Sequence, residues 1–259
     1  MRIATYNING IKARAEALGA WLDAATPDVV LLQEIKSADA AFPRAPFEAR
    51  GYAVETHGQK GFNGVAILSK LPLADVARGL PGDDADDQAR WIEATVSGRR
   101  PVRICSLYLP NGNPAPGPKY DYKLAWMARM KARAAAMLAT EMPTVLGGDY
   151  NVIPQPEDAA RPQDWREDAL FLLDSRAAFR RILHLGYADA FRLRESAPGH
   201  YSFWDYQAGA WQRDNGIRID HLLLSPQAAD LLDGAGIDKA VRGWEKPSDH
   251  VPVWIDLDA

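Results

Sequence analysis

Short apolar runs alternate with amphipathic stretches along the whole chain. The apolar runs are rich in valine, isoleucine, leucine and aromatic residues, which is typical of buried strands. They predict strands at Ile3–Tyr6, Val29–Leu32, Val65–Leu68, Trp91–Val96, Val102–Leu109, Thr144–Leu146, Ile217–Leu224 and Val251–Leu257. Apolar residues at helical spacing predict helices at Ala15–Ala25, Leu124–Leu138, Ala169–Leu185 and Pro226–Leu232. Because no linker or long repeat interrupts this mixture, we predict one α/β domain over residues 1–259, with helices outside packed sheets.

Composition adds a cellular setting but does not settle the function. The first ten residues lack the apolar core of a secretory signal, and no apolar run reaches the roughly 20 residues that span a bilayer. The single cysteine, Cys105, lies in an apolar run and cannot form an internal disulfide. These features predict a cytoplasmic protein without a membrane association. The net charge of −4 argues mildly against a nucleic-acid partner, unless acidic residues are gathered around a metal ion.

Polar residues occur repeatedly at the ends of the predicted strands. Asn7 and Glu34 each follow an apolar run, and Tyr108 lies near the end of another. Five more polar residues occur directly after, inside or before such runs: Asp149, Asn151, Asp220, Asp249 and His250. If these strand ends converge, they form one polar cleft on a rigid scaffold.

The residue types in this set indicate a reaction class. Carboxylates and amides without cysteine form an oxygen-rich site, which suits Mg²⁺ or Mn²⁺ rather than Zn²⁺. A histidine beside an aspartate can stabilise a phosphate oxygen, and a further carboxylate can take a proton from water. Together these groups predict hydrolysis of a phosphate ester. Most of these residues also have an ordinary structural explanation when taken singly; for example, Asp149-Tyr-Asn151 after two glycines could be a simple turn. Asp220 is the exception, since a carboxylate in an apolar strand is costly unless it is paired, and His250 is its natural partner.

Seven sequence blocks in order resemble the exonuclease III family of abasic-site endonucleases. They are NING with QE further on, HGQKGFNGVAILSK, YLPNG, GGDYN, SFWDY, RIDHLLLS and EKPSDHVPVW, and the resemblance covers nearly the whole chain. It implies a four-layer αββα sandwich of two mixed sheets, with the active site at one edge of the facing sheets. It also implies an Mg²⁺-dependent enzyme that cuts duplex DNA 5′ of abasic sites and trims blocked 3′ ends, with 3′→5′ exonuclease activity. The family is further expected to act as a monomer without an obligate protein partner.

The resemblance also assigns roles to individual residues near the metal ion and the attacking water. Glu34 looks like the principal metal ligand, with Asn7 beside it and Asp249 close by. Asp149 looks like the residue that positions or deprotonates the water, and Asn151 like a donor to the phosphate.

A second group of residues is expected to contact the phosphate. His250, paired with Asp220, would hold the scissile phosphate. Tyr108 would contact the same phosphate or act as a base, and Asn111 stands where some relatives have glutamine.

The remaining assignments concern the damaged nucleotide and the DNA backbone. Phe203, Trp204 and Ile219 look like the apolar pocket for a sugar that has lost its base, and such a pocket would exclude intact nucleotides. The order Phe-Trp differs from relatives that have Trp-Phe, so the pocket shape is expected to differ. Arg90 is expected to reach a DNA groove, and either Lys119 or Lys123 is expected to contact backbone phosphates.

Other functions are compatible with the same scaffold. Sphingomyelinases, inositol-phosphate phosphatases and RNA deadenylases share the blocks GDxN and SDH, so the fold alone does not fix the substrate. A non-catalytic regulator that binds RNA would be expected to lack some of the polar set, and Glu34, Asp149, Asp220 and His250 are all present.

Overall fold

A computed structural model describes residues 1–259. Its strands are β1 (Arg2–Asn7), β2 (Val29–Gln33), β3 (Ala53–His57), β4 (Val65–Ser69), β5 (Leu73–Arg78), β6 (Trp91–Ser97), β7 (Pro101–Tyr108), β8 (Thr144–Asp149), β9 (Ala188–Asp189), β10 (Asp220–Leu224), β11 (Leu232–Ile237) and β12 (Val253–Leu257). Its helices are α1 (Ile11–Ala25), α2 (Ala45–Glu48), α3 (Pro118–Leu138), α4 (Leu173–Leu183), α5 (Ala190–Arg194) and α6 (Pro226–Ala229). Short 3₁₀ turns cover 39–41, 156–158, 162–165 and 239–243.

The strands form two mixed six-stranded sheets that pack face to face. The first has the order β11-β12-β1-β2-β4-β3 and the second the order β5-β6-β7-β8-β10-β9. Alternate residues of each central strand point to opposite faces. In β2, Leu31 joins the cluster between the sheets, whereas Val30 and Leu32 join the cluster beneath α1. The outer face of the second sheet packs on α3 and α4. Both sheets are therefore covered on both faces, as the four-layer αββα prediction requires.

Two glycines in β8 allow the sheets and strands to approach closely. A Cβ atom on Gly147 would lie 2.6 Å from side-chain carbons of both Leu31 and Leu222, and one on Gly148 would lie 1.9 Å from the carbonyl oxygen of Leu107. Neither position has room for a side chain. The glycines thus bring Asp149, the residue that follows them, deep between the two sheets.

All eight predicted strands are present, but several predicted boundaries are wrong, two of them around β10 and β11. The predicted strand Ile217–Leu224 is regular only from Asp220, because Ile217 forms isolated bridges to Ala159 and Phe203 instead of a continuous ladder. The helix predicted at Pro226–Leu232 ends at Ala229. Leu232–Ile237 is the edge strand β11, which pairs with β12 through a register shift.

The helix predicted at Ala169–Leu185 begins later than expected. The backbone of Asp168 accepts hydrogen bonds from Phe171 and Leu172, and this turn delays the helix start to Leu173. The sequence also did not predict β3, β5, β9 and β11, which are short or have few buried residues. No helix combines the length and the apolar character that crossing a membrane would need.

Candidate active site

The polar residues predicted from the sequence lie at one edge of the two sheets. Parallel strands end at the same edge, so β1 and β2 bring Asn7 and Glu34 together, and β7 and β8 bring Tyr108 opposite Asp149. The antiparallel strand β10 begins there, with Asp220 in register with Asp149. The loop before β12 adds Asp249 and His250. The predicted convergence is therefore present.

Asn7 joins the two sheets at this edge. Its side-chain amide donates to Glu34 Oε1 and to Asp149 Oδ2, at 2.9 Å each. The second Glu34 oxygen accepts from the Lys36 ammonium at 2.8 Å, and Lys36 also donates to Asn9 Oδ1 at 2.5 Å. Burial raises the pKa of Glu34, but the bonds from Lys36 and Asn7 outweigh it and the pKa is lowered. Glu34 is therefore a carboxylate at neutral pH.

Asp220, His250 and Asp149 form a buried charged group. His250 Nδ1 lies 2.8 Å from Asp220 Oδ2, and Nε2 lies 3.7 Å from Asp149 Oδ2. Burial lowers the pKa of His250, but the two carboxylates outweigh it and raise the pKa to about 10. Burial, with a contribution from Asp220, raises the pKa of Asp149 to about 7 against the lowering effect of His250. Near neutral pH the site thus pairs an imidazolium with a carboxylate that readily accepts a proton.

Two serines that the sequence did not single out support these groups. Ser202 Oγ donates to Asp220 Oδ2 at 2.6 Å and accepts from the backbone N–H of Asp220. Ser248 Oγ lies 2.7 Å from the carbonyl oxygen of Asn7 and accepts from the backbone N–H of His250. Serines are common and lie in loops, so only their positions in space reveal these roles; Ser248 could have been suspected from its place in SDH.

Asn151 and Asn111 form an amide pair beside Asp149. The backbone N–H of Asn151 donates to Asp149 Oδ1 at 2.9 Å, and its side-chain amide donates to the carbonyl of Leu109. The Asn111 amide donates to Asn151 Oδ1 at 3.1 Å. Lys123 also lies here, but it is buried and donates to backbone carbonyls of Asn111 and Asn151. Of the two lysines expected to contact phosphates, the structure excludes Lys123, since its ammonium does not reach the surface, and leaves Lys119.

Tyr108 is placed as a proton donor. Burial raises the pKa of its phenol well above its ordinary value, and the neighbouring carboxylates Glu34 and Asp149 raise it further. The guanidinium of Arg90 lies over the Tyr108 ring at 4.8 Å. A phenol that holds its proton this firmly is a poor base at neutral pH, so Asp149 is the better proton acceptor of the two.

A polar cleft continues from the site along the surface. It has a volume of about 370 Å³, and Arg90, Asn111 and Lys119 line it together with Gln88, Asn113 and Tyr122. Lys119 is exposed at the first turn of α3. Cations and amides in this arrangement suit a phosphate backbone.

The expected apolar pocket is only partly formed as predicted. Phe203 is half-buried, its ring lies 4.9 Å from that of His250, and it packs on a small cluster that includes Ile217 and Ile219. Trp204 is 0% exposed, packs against Trp211 and donates its indole N–H to Asp214. The prediction that Trp204 lines the pocket is wrong, because adjacent residues of an extended segment point to opposite sides. Ile219 is 2% exposed and belongs to the buried cluster against which Phe203 packs, and so does Ile217, which was not predicted.

The donor set fits a hard divalent cation beside Glu34. The Glu34 and Asp249 carboxylates are linked through Lys36 and Asn9, and the Asn9 amide donates to Asp249 Oδ1 at 3.0 Å. Glu34, Asp249 and Asn7 can each offer a side-chain oxygen as a ligand, which Mg²⁺ and Mn²⁺ prefer, and the Lys36 ammonium at 2.8 Å from Glu34 shows that this carboxylate attracts a cation. Asp149, Asp220 and His250 also present ligand atoms within 4.8 Å of one another. The Asp220 and Asp149 carboxylates raise the pKa of His250, which favours an ion-pairing role for this imidazole.

The chain is similar along its length to proteins of known kind. Residues 4–250 match the model of the endonuclease/exonuclease/phosphatase family. Exodeoxyribonuclease III of Haemophilus influenzae is 35% identical and is aligned over 99% of this chain and 100% of its own. Among solved structures, an AP endonuclease from Archaeoglobus fulgidus has a TM-score of 0.95 and 35% identity. The 3′ phosphatase NExo from Neisseria, bound to product DNA hairpin, has the same TM-score and identity. Both structures cover 100% of this chain and of their own.

Proposed function

The chain belongs to the endonuclease/exonuclease/phosphatase family, in its exodeoxyribonuclease III branch, and on this basis we propose that it is a DNA-repair phosphodiesterase. It hydrolyses phosphodiester bonds of damaged duplex DNA, 5′ of abasic sites, and removes blocking groups from 3′ ends. The similarity to an AP endonuclease and to a 3′ phosphatase supports both activities. We propose Mg²⁺ as the metal ion, with Mn²⁺ as a substitute.

The position of Asp149 is the observation that carries this proposal. It is 1% exposed and lies between Asn7 on one side and the Asp220–His250 pair on the other. Its pKa near 7 makes it a base matched to neutral pH. Packing alone does not explain a carboxylate buried between an amide and an imidazole, because the loss of hydration is costly.

Each group then contributes to an in-line displacement at phosphorus. Asp149 orients a water molecule and accepts its proton. The His250 imidazolium, held by Asp220, stabilises the charge that develops on the phosphate oxygens. Tyr108 and the amides of Asn111 and Asn151 donate further hydrogen bonds to the phosphate. A divalent cation held by Glu34, Asn7 and Asp249 would supply Lewis-acid stabilisation of the leaving oxygen.

The substrate class follows from the surroundings of this site. Phe203 offers an apolar face beside His250, which suits a deoxyribose without a base. Arg90 and Lys119 line the neighbouring cleft and would hold the backbone of the duplex. A regulator without catalysis is disfavoured because every group that the reaction needs is in place.

A nicking assay tests the proposed function. Purified protein is incubated with a labelled duplex that contains one tetrahydrofuran abasic-site analogue, in Mg²⁺ and separately in a chelator. We expect a metal-dependent nick immediately 5′ of the lesion and none on the intact duplex. If folded protein binds DNA and leaves the lesion uncut, the abasic-endonuclease proposal is refuted. The protein would then act on another phosphoester substrate or have a regulatory role.

Glu34→Gln should weaken metal binding selectively. The substitution keeps the side chain's size but removes a negative ligand, so we expect the Mg²⁺ concentration for half-maximal nicking to rise at least about 10-fold. Mg²⁺ should also raise the Tm of the wild type more than that of the variant. Glu141→Gln, at an exposed turn, is the control and should behave as the wild type. Equal Mg²⁺ dependence in both proteins would show that Glu34 is not a ligand.

Phe203→Ala should reduce the selectivity for abasic DNA. The substitution removes the apolar wall beside His250, so the site gains room for an intact nucleotide and loses contact with the bare sugar. We expect kcat/KM for the abasic duplex to fall about 10-fold, a loss of the size seen when one apolar contact is removed. Phe203→Leu retains much of the wall and should lie between the two. The measurement is the ratio of kcat/KM for abasic and intact duplexes, and an unchanged ratio in both variants would place the pocket elsewhere.

Four expectations about the whole protein stay predictions from the sequence. These are a single domain over residues 1–259, a monomeric state, a cytoplasmic location and the absence of an obligate protein partner.

A further inference from the structure

Lys123 is a buried lysine without a carboxylate partner. It projects from α3, is 0% exposed and has no acidic group within salt-bridge distance. Its ammonium donates to two backbone carbonyl oxygens, that of Asn111 at 3.0 Å and that of Asn151 at 2.6 Å. These two residues belong to different loops, one after β7 and one after β8. Lys123 therefore ties together the two loops that carry the amide pair of the active site.

Burying an ammonium has a cost that packing alone does not explain. Loss of hydration lowers the pKa of Lys123 to about 7, although Asp149 and Asp168 oppose this effect from a distance. An apolar side chain such as methionine would fill the same space without that cost. The benefit must come from the carbonyl oxygens that the ammonium holds.

Those carbonyl oxygens lie on the backbone that orients the site. Asn151 has a left-handed conformation, with φ of 45°, and its N–H donates to Asp149. Its side chain accepts from Asn111. A hydrogen bond that holds the Asn151 carbonyl therefore also holds the Asn151 side-chain amide and the orientation of Asp149. In the same way, a hydrogen bond to the Asn111 carbonyl sets the distance between the side-chain amides of Asn111 and Asn151.

Neighbouring residues restrict the conformation of the Lys123 side chain. Gly112 has a φ of 92°, and a Cβ atom there would lie 2.7 Å from Lys123 Cδ and 3.2 Å from Ala169 Cβ. Because Gly112 has no side chain, the Lys123 side chain can pass beside it and reach the two loops.

We propose that Lys123 is a positioning residue whose ammonium clamps the loops of Asn111 and Asn151 in the geometry that the reaction requires. This inference rests on the proposed function of the same site. A clamp of this kind acts on the transition state more than on DNA affinity, because it sets the orientation of groups that are already present.

Three variants test this role. Lys123→Met removes both hydrogen bonds and keeps an unbranched chain, Lys123→Gln restores two N–H donors without a charge, and Lys131→Met removes an exposed lysine from the same helix. For each we would measure Tm, kcat on the abasic duplex and the Kd for that duplex in a chelator. We expect Lys123→Met to lower kcat about 10- to 100-fold with a Kd within about threefold of the wild type, since misplacement by about 1 Å can cost 10²-fold. Lys123→Gln should recover part of kcat, and Lys131→Met should match the wild type.

The outcomes separate this inference from the proposed function. A folded Lys123→Met protein with the kcat of the wild type would overturn the clamp while the nuclease assignment stands. If Lys123→Met does not fold, Lys123→Leu, which also removes both hydrogen bonds, decides: a lowered kcat with an unchanged Kd supports the clamp, and a wild-type kcat overturns it. A wild-type protein that does not nick the duplex would refute the proposed function, and the inference would fall with it.

Discussion

Asp149→Asn should lower kcat for nicking of an abasic duplex about 10³-fold, within the range of about 10² to 10⁴ that a positioned base contributes. The substitution keeps the shape of the side chain but removes its ability to accept a proton from water. Because burial already disfavours the charged form of Asp149, the neutral asparagine should fold at least as stably, with a Tm equal to or above that of the wild type. The Kd for the duplex, measured in a chelator, should stay within about threefold of the wild type.

The pH dependence provides a second measurement of the same role. The wild-type kcat/KM should fall as the pH drops through about 7, because protonation of Asp149 removes the base. The residual activity of Asp149→Asn should lack this acid limb. Asp230→Asn changes an exposed aspartate and should leave both the rate and the limb unaltered. Turnover within 10-fold of the wild type in Asp149→Asn would refute the assignment of this residue as the base.

His250→Asn should lower kcat about 10³-fold, at the upper end of what loss of one preorganised donor costs. The imidazolium is held by Asp220 at 2.8 Å and is the cation of the buried charged group. Its loss removes the positive charge that stabilises the phosphate in the transition state. It also leaves Asp149 and Asp220 facing each other with no cation between them, so the pKa of Asp149 should rise. We therefore expect the acid limb of kcat/KM to move to higher pH in the variant.

His200 provides the matched control for this substitution. His200 lies on the loop before Ser202, and its side chain is 40% exposed, so His200→Asn removes a histidine without touching the site. It should reproduce the wild-type profile. An acid limb that stays in place in His250→Asn would mean that His250 does not set the pKa of Asp149. The alkaline limb of the wild type, expected near pH 10 where His250 loses its proton, should also be absent from His250→Asn.

The active site as a whole depends on long-range contacts between residues that look ordinary in sequence. Asn7 meets Asp149 across 142 residues, and Ser248 meets Asn7 across 241. Each of these contacts joins the two sheets or fixes a loop at their common edge. A substitution at Ser202 or Ser248 should therefore act through Asp220, His250 or Asn7 rather than on the substrate directly.

The sequence by itself determined eight of the twelve strands, the polar residues at their ends and the class of chemistry. An apolar run such as the one before Asp149 indicates a buried strand without knowledge of the rest of the fold. Only the residues at the end of such a strand can reach the edge that the two sheets share. Periodicity was less informative around Ala229, where the helix predicted at Pro226–Leu232 ends, and at Leu232, where the edge strand β11 begins. The order of the sequence motifs indicated the family, and the family implied the four-layer fold.

Only the tertiary structure decided which side each residue faces and what charge it carries. It placed Trp204 in the core and Phe203 beside His250, because a neighbouring pair in an extended segment diverges and a sequence does not state which of the two points inward. It buried Lys123 behind Gly112, whereas a lysine on an amphipathic helix is ordinarily exposed. It also set the pKa values of Asp149 and His250, since these depend on desolvation and on carboxylates from distant parts of the chain. The physical reason is the same in each case: local pattern reports how much a residue is buried, whereas the identity of its neighbours is fixed only when the two sheets pack.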